Sequence, residues 1–224
     1  RIRNLDALNG KGCYMNNKKQ KFFESLSVQL NSYIEAEKVI DQFISNDMDA
    51  FQGKRLFQHA LGNTDSDMEA VFNRIVKAYK DAAGYGYGVR AFGLMKSMHD
   101  HLTNLFNEFS SYQDEKMPDE MNLVWDLCKA GALEVSKVLE YTKGFEENNL
   151  KAEARCLKIH NFKSRGDEAV RDSLEAVYGM NNSIDIIYWK DVLKEMNGFL
   201  SDIDQFTICL QKPVSYTHLT LPTN

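Results

Sequence analysis

The sequence predicts an all-α fold, and three observations support this prediction. Apolar residues recur at spacings of three and four through most of the 224-residue chain, which places them on one face of a helix. The chain has only three prolines, and two of them, Pro213 and Pro222, lie near its end, so few helix interiors are interrupted. No segment shows the alternation of apolar and polar residues that is typical of a half-buried strand.

The apolar spacing predicts six helices, most of them long. Residues 84–88 alternate Gly and Tyr and predict a break between the second and third helices, and Ser183 is the expected N-cap of the sixth. The predicted spans are about 21–46, 48–79 with a bend at Gly62 and Asn63, 89–112, 118–144, 148–178 and 183–211. Long helices joined by short loops favour antiparallel packing. We therefore expect two three-helix repeats, at about 20–114 and 118–212.

Both ends of the chain differ from the region between them. Met15 and the polar residues after it look like a natural start, so residues 1–14 are predicted to be a non-native or disordered leader. The segment 213–224 breaks the helical pattern and resembles a translated sequencing adapter, so we predict a non-native tail. A pair of genuine disordered tails is the alternative. The expected helical domain is 15–212.

Net charge, apolar runs and cysteine spacing argue against several classes of function. The net charge is −5, which gives no electrostatic support for nucleic-acid binding. The sequence contains no run of about 18 apolar residues, so no membrane span is expected. The four cysteines show no Cys-x-x-Cys spacing, which is typical of free thiols in a reducing cytoplasm. No known nucleophile signature is found, so the chain is predicted to be a cytoplasmic protein that is not an enzyme.

Two segments carry a resemblance to a known family. The first runs Ile159-His160-Asn161-Phe162-Lys163-Ser164-Arg165-Gly166-Asp167-Glu168 and is followed by Leu174 and Tyr178. The second runs Ser183-Ile184-Asp185-Ile186-Ile187-Tyr188-Trp189-Lys190-Asp191-Val192-Leu193. Together with the opening Lys21-Phe22-Phe23-x-x-Leu26, they resemble the PhoU-like phosphate-transport regulators. The resemblance covers about 20–212 and is closer in the C-terminal half.

This resemblance implies a fold and a function. The family fold is a pair of three-helix bundles related by a pseudo-repeat, so we expect a six-helix PhoU-like bundle. The implied function is regulation of inorganic phosphate transport by protein–protein contact. The implied partners are an inorganic phosphate transporter or its signalling proteins at the inner membrane face, and a homo-oligomer is a further expectation.

The family also implies metal sites. Its members carry Glu/Asp-x-x-x-Asp motifs that hold multinuclear metal clusters, because residues i and i+4 share a helix face and carboxylate oxygens suit iron or magnesium. The corresponding pairs in this chain are Leu61 with Asp65, His99 with Thr103, Lys163 with Asp167, and Asn197 with Ser201. Asp65 and Asp167 are therefore remnant metal candidates. A slip of one residue in the third helix would add Asp100 to His99 as further candidates.

Lys163 is the sharpest departure from the family motif. Its ammonium lies one turn from Asp167, so it is expected to pair with that carboxylate and to repel a metal cation. His99 and His101 are two residues apart and face different directions on a helix, so they are not expected to share one ion. We expect no resident cofactor.

Two other functions stay open at this stage. One is a structural or oligomerising helical bundle with no role in phosphate transport. The other is a carboxylate-bridged metalloprotein, which would need paired acidic motifs on facing helices.

Overall fold

A computed structural model describes most of the chain. The backbone is described for residues 6–45, 48–62, 64–78, 82–111, 116–141 and 145–215. Side chains are described for residues 20–45, 48–62, 68–77, 85–111, 116–141 and 150–211.

The described part of the chain is all-α, as predicted, and contains no β-strand. Its helices are, in chain order, α1 (Asp6–Ile44), α2 (Ala50–Leu61), α3 (Thr64–Ala78), α4 (Ala82–Ser111), α5 (Asp119–Tyr141), α6 (Phe145–Tyr178) and α7 (Ser183–Ser215). None of these helices is both long and apolar enough to cross a membrane.

The predicted apolar faces form the core. On α1, the side chains of Leu26, Leu30, Tyr33 and Ile40 are fully buried. On α7, Trp189 and the apolar residues that follow it at helical spacing are buried in the same core. Each long helix thus packs because its sequence gathers apolar side chains on one face.

The predicted second helix is in fact two helices. α2 ends at Leu61 and α3 begins at Thr64, because Gly62 adopts a φ of 69°, a conformation that only glycine reaches readily. The Gly62 N–H donates to the Gln58 carbonyl oxygen at 3.2 Å and closes the end of α2. The sequence predicted a bend at this point, and the structure shows a break.

The predicted break at residues 84–88 is wrong. These glycines and tyrosines lie in the first turns of α4, which begins at Ala82. Each glycine in a helix costs about 1 kcal/mol relative to alanine. Further along α4, Ala91, Met95 and Met98 are buried, and their packing offsets this local preference.

The cap of α7 also differs from the prediction. Ser183 is the first helical residue, and the side-chain oxygen of Asn182 accepts a hydrogen bond from the Ile184 N–H at 3.0 Å. Asn182 therefore performs the capping role that the sequence assigned to Ser183.

The helices fall into two consecutive groups along the chain, α1–α4 and α5–α7, but α4 packs more extensively against α7 of the other group than against α1 or α3 of its own. α1 contacts α2, α3 and α4, while α5, α6 and α7 contact one another. The groups meet where α4 lies against α7 and where α1 lies against α5. Two polar clusters, around His101 and around Lys129, lie where the groups meet.

The two predicted foreign ends remain predictions. Residues 1–5 and 216–224 lie outside the described residues, as do the side chains of 6–19 and 212–215. The described backbone of α1 begins at Asp6, and that of α7 continues to Ser215.

Two Gly→Ala substitutions test the different roles of these glycines. Gly93 is an exposed residue inside α4, and a Cβ there would meet nothing within 4 Å, so Gly93→Ala should raise the free energy of unfolding by about 0.5–1 kcal/mol. Gly62→Ala should lower it by about 1 kcal/mol or more, because alanine is strained at positive φ. Urea denaturation of both variants measures the sign of each change in unfolding free energy. A Gly62→Ala variant that is stabilised as Gly93→Ala is expected to be would contradict the break assigned at Gly62.

Candidate functional site

The candidate metal position on α6, Lys163 with Asp167, contains an ion pair. The Lys163 ammonium donates to Asp167 Oδ1 one turn away, as expected from the sequence. It also reaches Asn197 Oδ1 on α7 at 3.5 Å. The Ser201 hydroxyl donates to the Asn197 carbonyl oxygen at 2.7 Å. Lys163 therefore links α6 to α7 through two of the positions that the family motif assigns to metal ligands.

The Lys163 side chain is more buried than that of its partner Asp167. Its side chain is 17% exposed, whereas that of Asp167 is 46% exposed. The close approach of α6 to α7 has a local cause, since a Cβ at Gly166 would overlap a methyl group of Leu200. The ammonium thus provides positive charge between two oxygen-bearing side chains, which is the electrostatic task of a cation at such a position.

The candidate metal residues in the first helix group, His99 and Thr103, line a cavity. His99 and Thr103 of α4 line a space of about 250 Å³ together with Leu61 and Lys54 of α2. The Thr103 hydroxyl is buried, and no described residue accepts or donates a hydrogen bond to it. The structure therefore places His99, Thr103 and Leu61 around one cavity.

The two remaining metal candidates are less informative. Asp65 lies in α3, but its side chain is outside the described residues. Asp100 is exposed on α4. In the part of the chain whose side chains are described, no three His, Cys, Asp or Glu residues are placed to hold one metal ion.

The contacts of His101 with α7 were not predicted from the sequence. Its Nδ1 lies 2.7 Å from Glu195 Oε2 of α7, and its Nε2 lies 3.5 Å from Asp202 Oδ2. Asn104 donates to the same Glu195 oxygen at 3.2 Å. The imidazole ring lies against Gly198, where a Cβ would overlap it.

The two histidines of the His99-Asp100-His101 triplet face different helices, as predicted. His99 lines the α2–α4 cavity, whereas His101 contacts α7. A glycine on α7 with carboxylates three residues before and four residues after it is the only sequence signal of this contact, and it does not identify the partner helix.

The charges at the α4–α7 interface favour a protonated ring. Burial lowers the pKa of His101, but the contacts with Asp202 and Glu195 outweigh it and raise the pKa above 6.5. Burial raises the pKa of Glu195, but His101 and Asn104 outweigh it and lower the pKa below 4.5. A ring with a carboxylate at each nitrogen donates from both nitrogens when it is charged.

A second ionisable cluster lies between α1 and α5. Lys129 pairs with Asp41 at 2.8 Å and with Asp126 at 3.1 Å, and the Trp125 indole N–H donates to Asp41 at 3.0 Å. Burial holds the pKa of the neighbouring Glu37 well above its ordinary value. Glu37 Oε1 has no hydrogen-bond partner among the described residues, so burial here favours the protonated carboxyl.

The ionisable side chains at these helix interfaces are paired or buried. Each cation lies against carboxylates or amide oxygens of a neighbouring helix. Among the buried thiols, Cys128 and Cys156 have pKa values that burial raises. A thiol with a raised pKa is a poor nucleophile.

Comparison with known proteins adds no assignment. The chain matches no protein-family model, and it has no significant match among curated proteins.

The His101 contact predicts a pH-dependent stability. The folded pKa of His101 is raised above 6.5, so its contribution is complete below that pH and is lost as the pH rises through the folded value. The lowered pKa of Glu195 makes its contribution complete above 4.5, with loss as the pH falls further. The pair therefore stabilises most between these two values.

His101→Gln tests this pair. At pH 6 the variant should lose about 1.5–3 kcal/mol of unfolding free energy, the contribution of hydrogen bonds to charged groups. The difference from wild type should shrink between pH 6 and pH 9, as measured by urea denaturation. Glu108 also has a raised pKa, because of burial and of Asp191 and Glu195. Because Glu108 is present in both proteins, the comparison of variant with wild type isolates His101. A difference that is constant over this range would contradict a charged His101.

Lys163→Glu tests whether the ammonium takes the place of a cation. The variant places two carboxylates one turn apart, with Asn197 as a third oxygen donor, and should bind magnesium or iron(II) about tenfold more tightly than wild type because ligand charge increases. Lys163→Met is the control, since it removes the ammonium without adding a ligand. Equilibrium dialysis with elemental analysis measures binding, and equal affinities in all three proteins would refute the interpretation.

Proposed function

We propose that the chain is a PhoU-like regulatory protein. In this proposal it acts by protein–protein contact with an inorganic phosphate transporter, or with the signalling proteins of that transporter, at the cytoplasmic face of the inner membrane. The two three-helix repeats are α1–α4, with the second helix broken at Gly62, and α5–α7. The all-α fold supports this proposal.

The observation that carries the proposal is a group of exposed apolar side chains in the segments that resemble the family. Tyr178 is 60% exposed, Ile184 is 64% exposed and Ile187 is 62% exposed. Tyr178 ends α6, and both isoleucines lie in the first turns of α7, so the short connection between these helices brings them to one end of the bundle. We call these three residues the α6–α7 end patch.

The end patch is not a consequence of poor packing in this region. Trp189 and Val192, which follow within the same segment, are 2% and 0% exposed. Ile184 and Ile187 are spaced by three residues and share one helix face, which is turned away from the core. Grouped exposed apolar side chains are typical of protein contact surfaces.

Lys163 supports a divergent form of the family function. In the family, carboxylate motifs hold metal clusters, whereas here an ammonium pairs with Asp167 and Asn197. We propose that the regulator does not depend on a multinuclear cluster and that partner contact alone carries its function.

A homo-oligomeric structural bundle is the second candidate, because the same end patch could be covered by a second copy of the chain. In that case the exposed isoleucines would mediate self-association, and no transporter would be involved. The two candidates predict different outcomes for one substitution.

Ile187→Asp distinguishes them. The tagged wild-type protein should capture the phosphate transporter or its signalling proteins from solubilised membranes of the source cells, identified by mass spectrometry, and the variant should capture at least tenfold less. Replacing an exposed apolar contact residue by a charge typically removes more than 1.4 kcal/mol of binding free energy at a contact centre. Val28→Asp is the matched control, since Val28 is 69% exposed but lies on α1.

The oligomeric state is measured on the same proteins by light scattering. A wild-type oligomer that Ile187→Asp dissociates, without capture of any phosphate-transport protein, would support the structural bundle and rule out the regulator. Capture that is unchanged in Ile187→Asp would exclude the end patch as the contact surface.

A further inference from the structure

Three cationic side chains converge on one carboxylate between α5 and α6. Lys137 Nζ lies 3.0 Å from Glu134 Oε1, and Lys158 Nζ lies 2.9 Å from the same oxygen. Arg155 Nη1 lies 2.9 Å from Glu134 Oε2. We call these four residues the Glu134 cluster.

The Glu134 cluster carries an excess of positive charge. The Glu134 side chain is only 4% exposed, whereas those of Lys137, Arg155 and Lys158 are 36%, 35% and 48% exposed. One buried carboxylate thus holds three partly exposed cations close together, and two positive charges stay uncompensated within the cluster. Burial raises the pKa of Glu134, but the three cations outweigh it and lower the pKa to about 2, so the carboxylate stays charged at any physiological pH.

Two leucines beside this cluster are exposed. Leu150 is 82% exposed and Leu157 is 63% exposed. They lie seven residues apart on α6, with Ala154 between them at helical spacing, and so form one apolar stripe. Lys151, Arg155 and Lys158 follow the same spacing along the adjacent side of the helix.

We propose that this outward face of α6, from Leu150 to Lys158 together with Lys137, binds the surface of an anionic lipid bilayer. The cations would meet the phosphates and carboxylates of the headgroups, and Leu150 and Leu157 would enter the boundary between headgroups and acyl chains. An amphipathic helix with basic residues beside exposed leucines is suited to this position.

The exposed leucines beside the cations favour a bilayer over a small anion. Leu150 and Leu157 project from the outer side of a single helix whose opposite face, including Cys156 and Ile159, is buried. A small anion would use the cations but would leave the leucines in water. A flat surface with negative charge outside and hydrocarbon beneath satisfies both groups at once.

Acidic residues limit the strength of this contact. Glu153 is exposed on α6, and Glu140 is exposed at the end of α5. The chain as a whole carries a net charge of −5. Binding should therefore be reversible, strongest at low ionic strength, and restricted to the side of the molecule that presents α6.

This inference does not rest on the proposed phosphate-transport partner. The α6–α7 end patch lies at the C-terminal end of α6, whereas the lipid-binding face begins at Leu150. Vesicle binding needs no partner protein, so its outcome is independent of transporter capture.

Vesicle sedimentation with the full chain tests the proposal. The wild-type protein should bind vesicles of phosphatidylglycerol and phosphatidylcholine and should not bind vesicles of phosphatidylcholine alone. Lys151→Glu should weaken binding about tenfold, since charge near an anionic surface is reversed, and Leu157→Asp should weaken it by a similar factor. Both residues are exposed, and thermal unfolding followed by circular dichroism verifies that the variants fold.

Lys96→Glu and Val28→Asp are the matched controls. Lys96 is an exposed lysine on α4, and Val28 is an exposed apolar residue on α1, so neither should change vesicle binding. Failure of wild type to bind anionic vesicles would overturn the proposal, as would binding by both Lys151→Glu and Leu157→Asp that is as tight as that of wild type. If this face binds only an acidic protein, the wild-type chain will fail to bind anionic vesicles.

Discussion

The contact between α4 and α7 is the constraint on which the arrangement of the two helix groups depends. α4 belongs to the first group and α7 to the second, and His101 lies on α7 at Gly198 with a carboxylate at each ring nitrogen. Partly buried carboxylates are costly unless a positive charge is close to them. His101, whose pKa is raised above its ordinary value, provides this charge when it is protonated. The absence of a Cβ at Gly198 allows the two helices to approach.

A positively charged side chain also lies between helices at the α1–α5 and α6–α7 interfaces. Lys129 of α5 pairs with Asp41 of α1, and Lys163 of α6 contacts Asp167 and Asn197. In each case a side chain of the protein supplies the positive charge between two helices. The contact surfaces that we propose lie elsewhere, on the outer faces of the bundle.

Part of this description could be predicted from the sequence and part could not. Apolar spacing predicted the helices because it is a local property, and the Lys163–Asp167 pair followed from a separation of one helical turn. The helical state of residues 84–88 was not predictable, because tertiary packing overrides the preference of glycine. The contact of His101 with Glu195 joins residues 94 positions apart, and no local pattern specifies which helices meet.

The protonation state of His101 at neutral pH tests the central claim most directly. Nitrogen-15 NMR of the histidine rings, with the His101 signals assigned by their loss in a His101→Gln variant, reports whether each ring nitrogen carries a proton. The account predicts that both Nδ1 and Nε2 of His101 are protonated at pH 7. A neutral ring with a proton on only one nitrogen would contradict it.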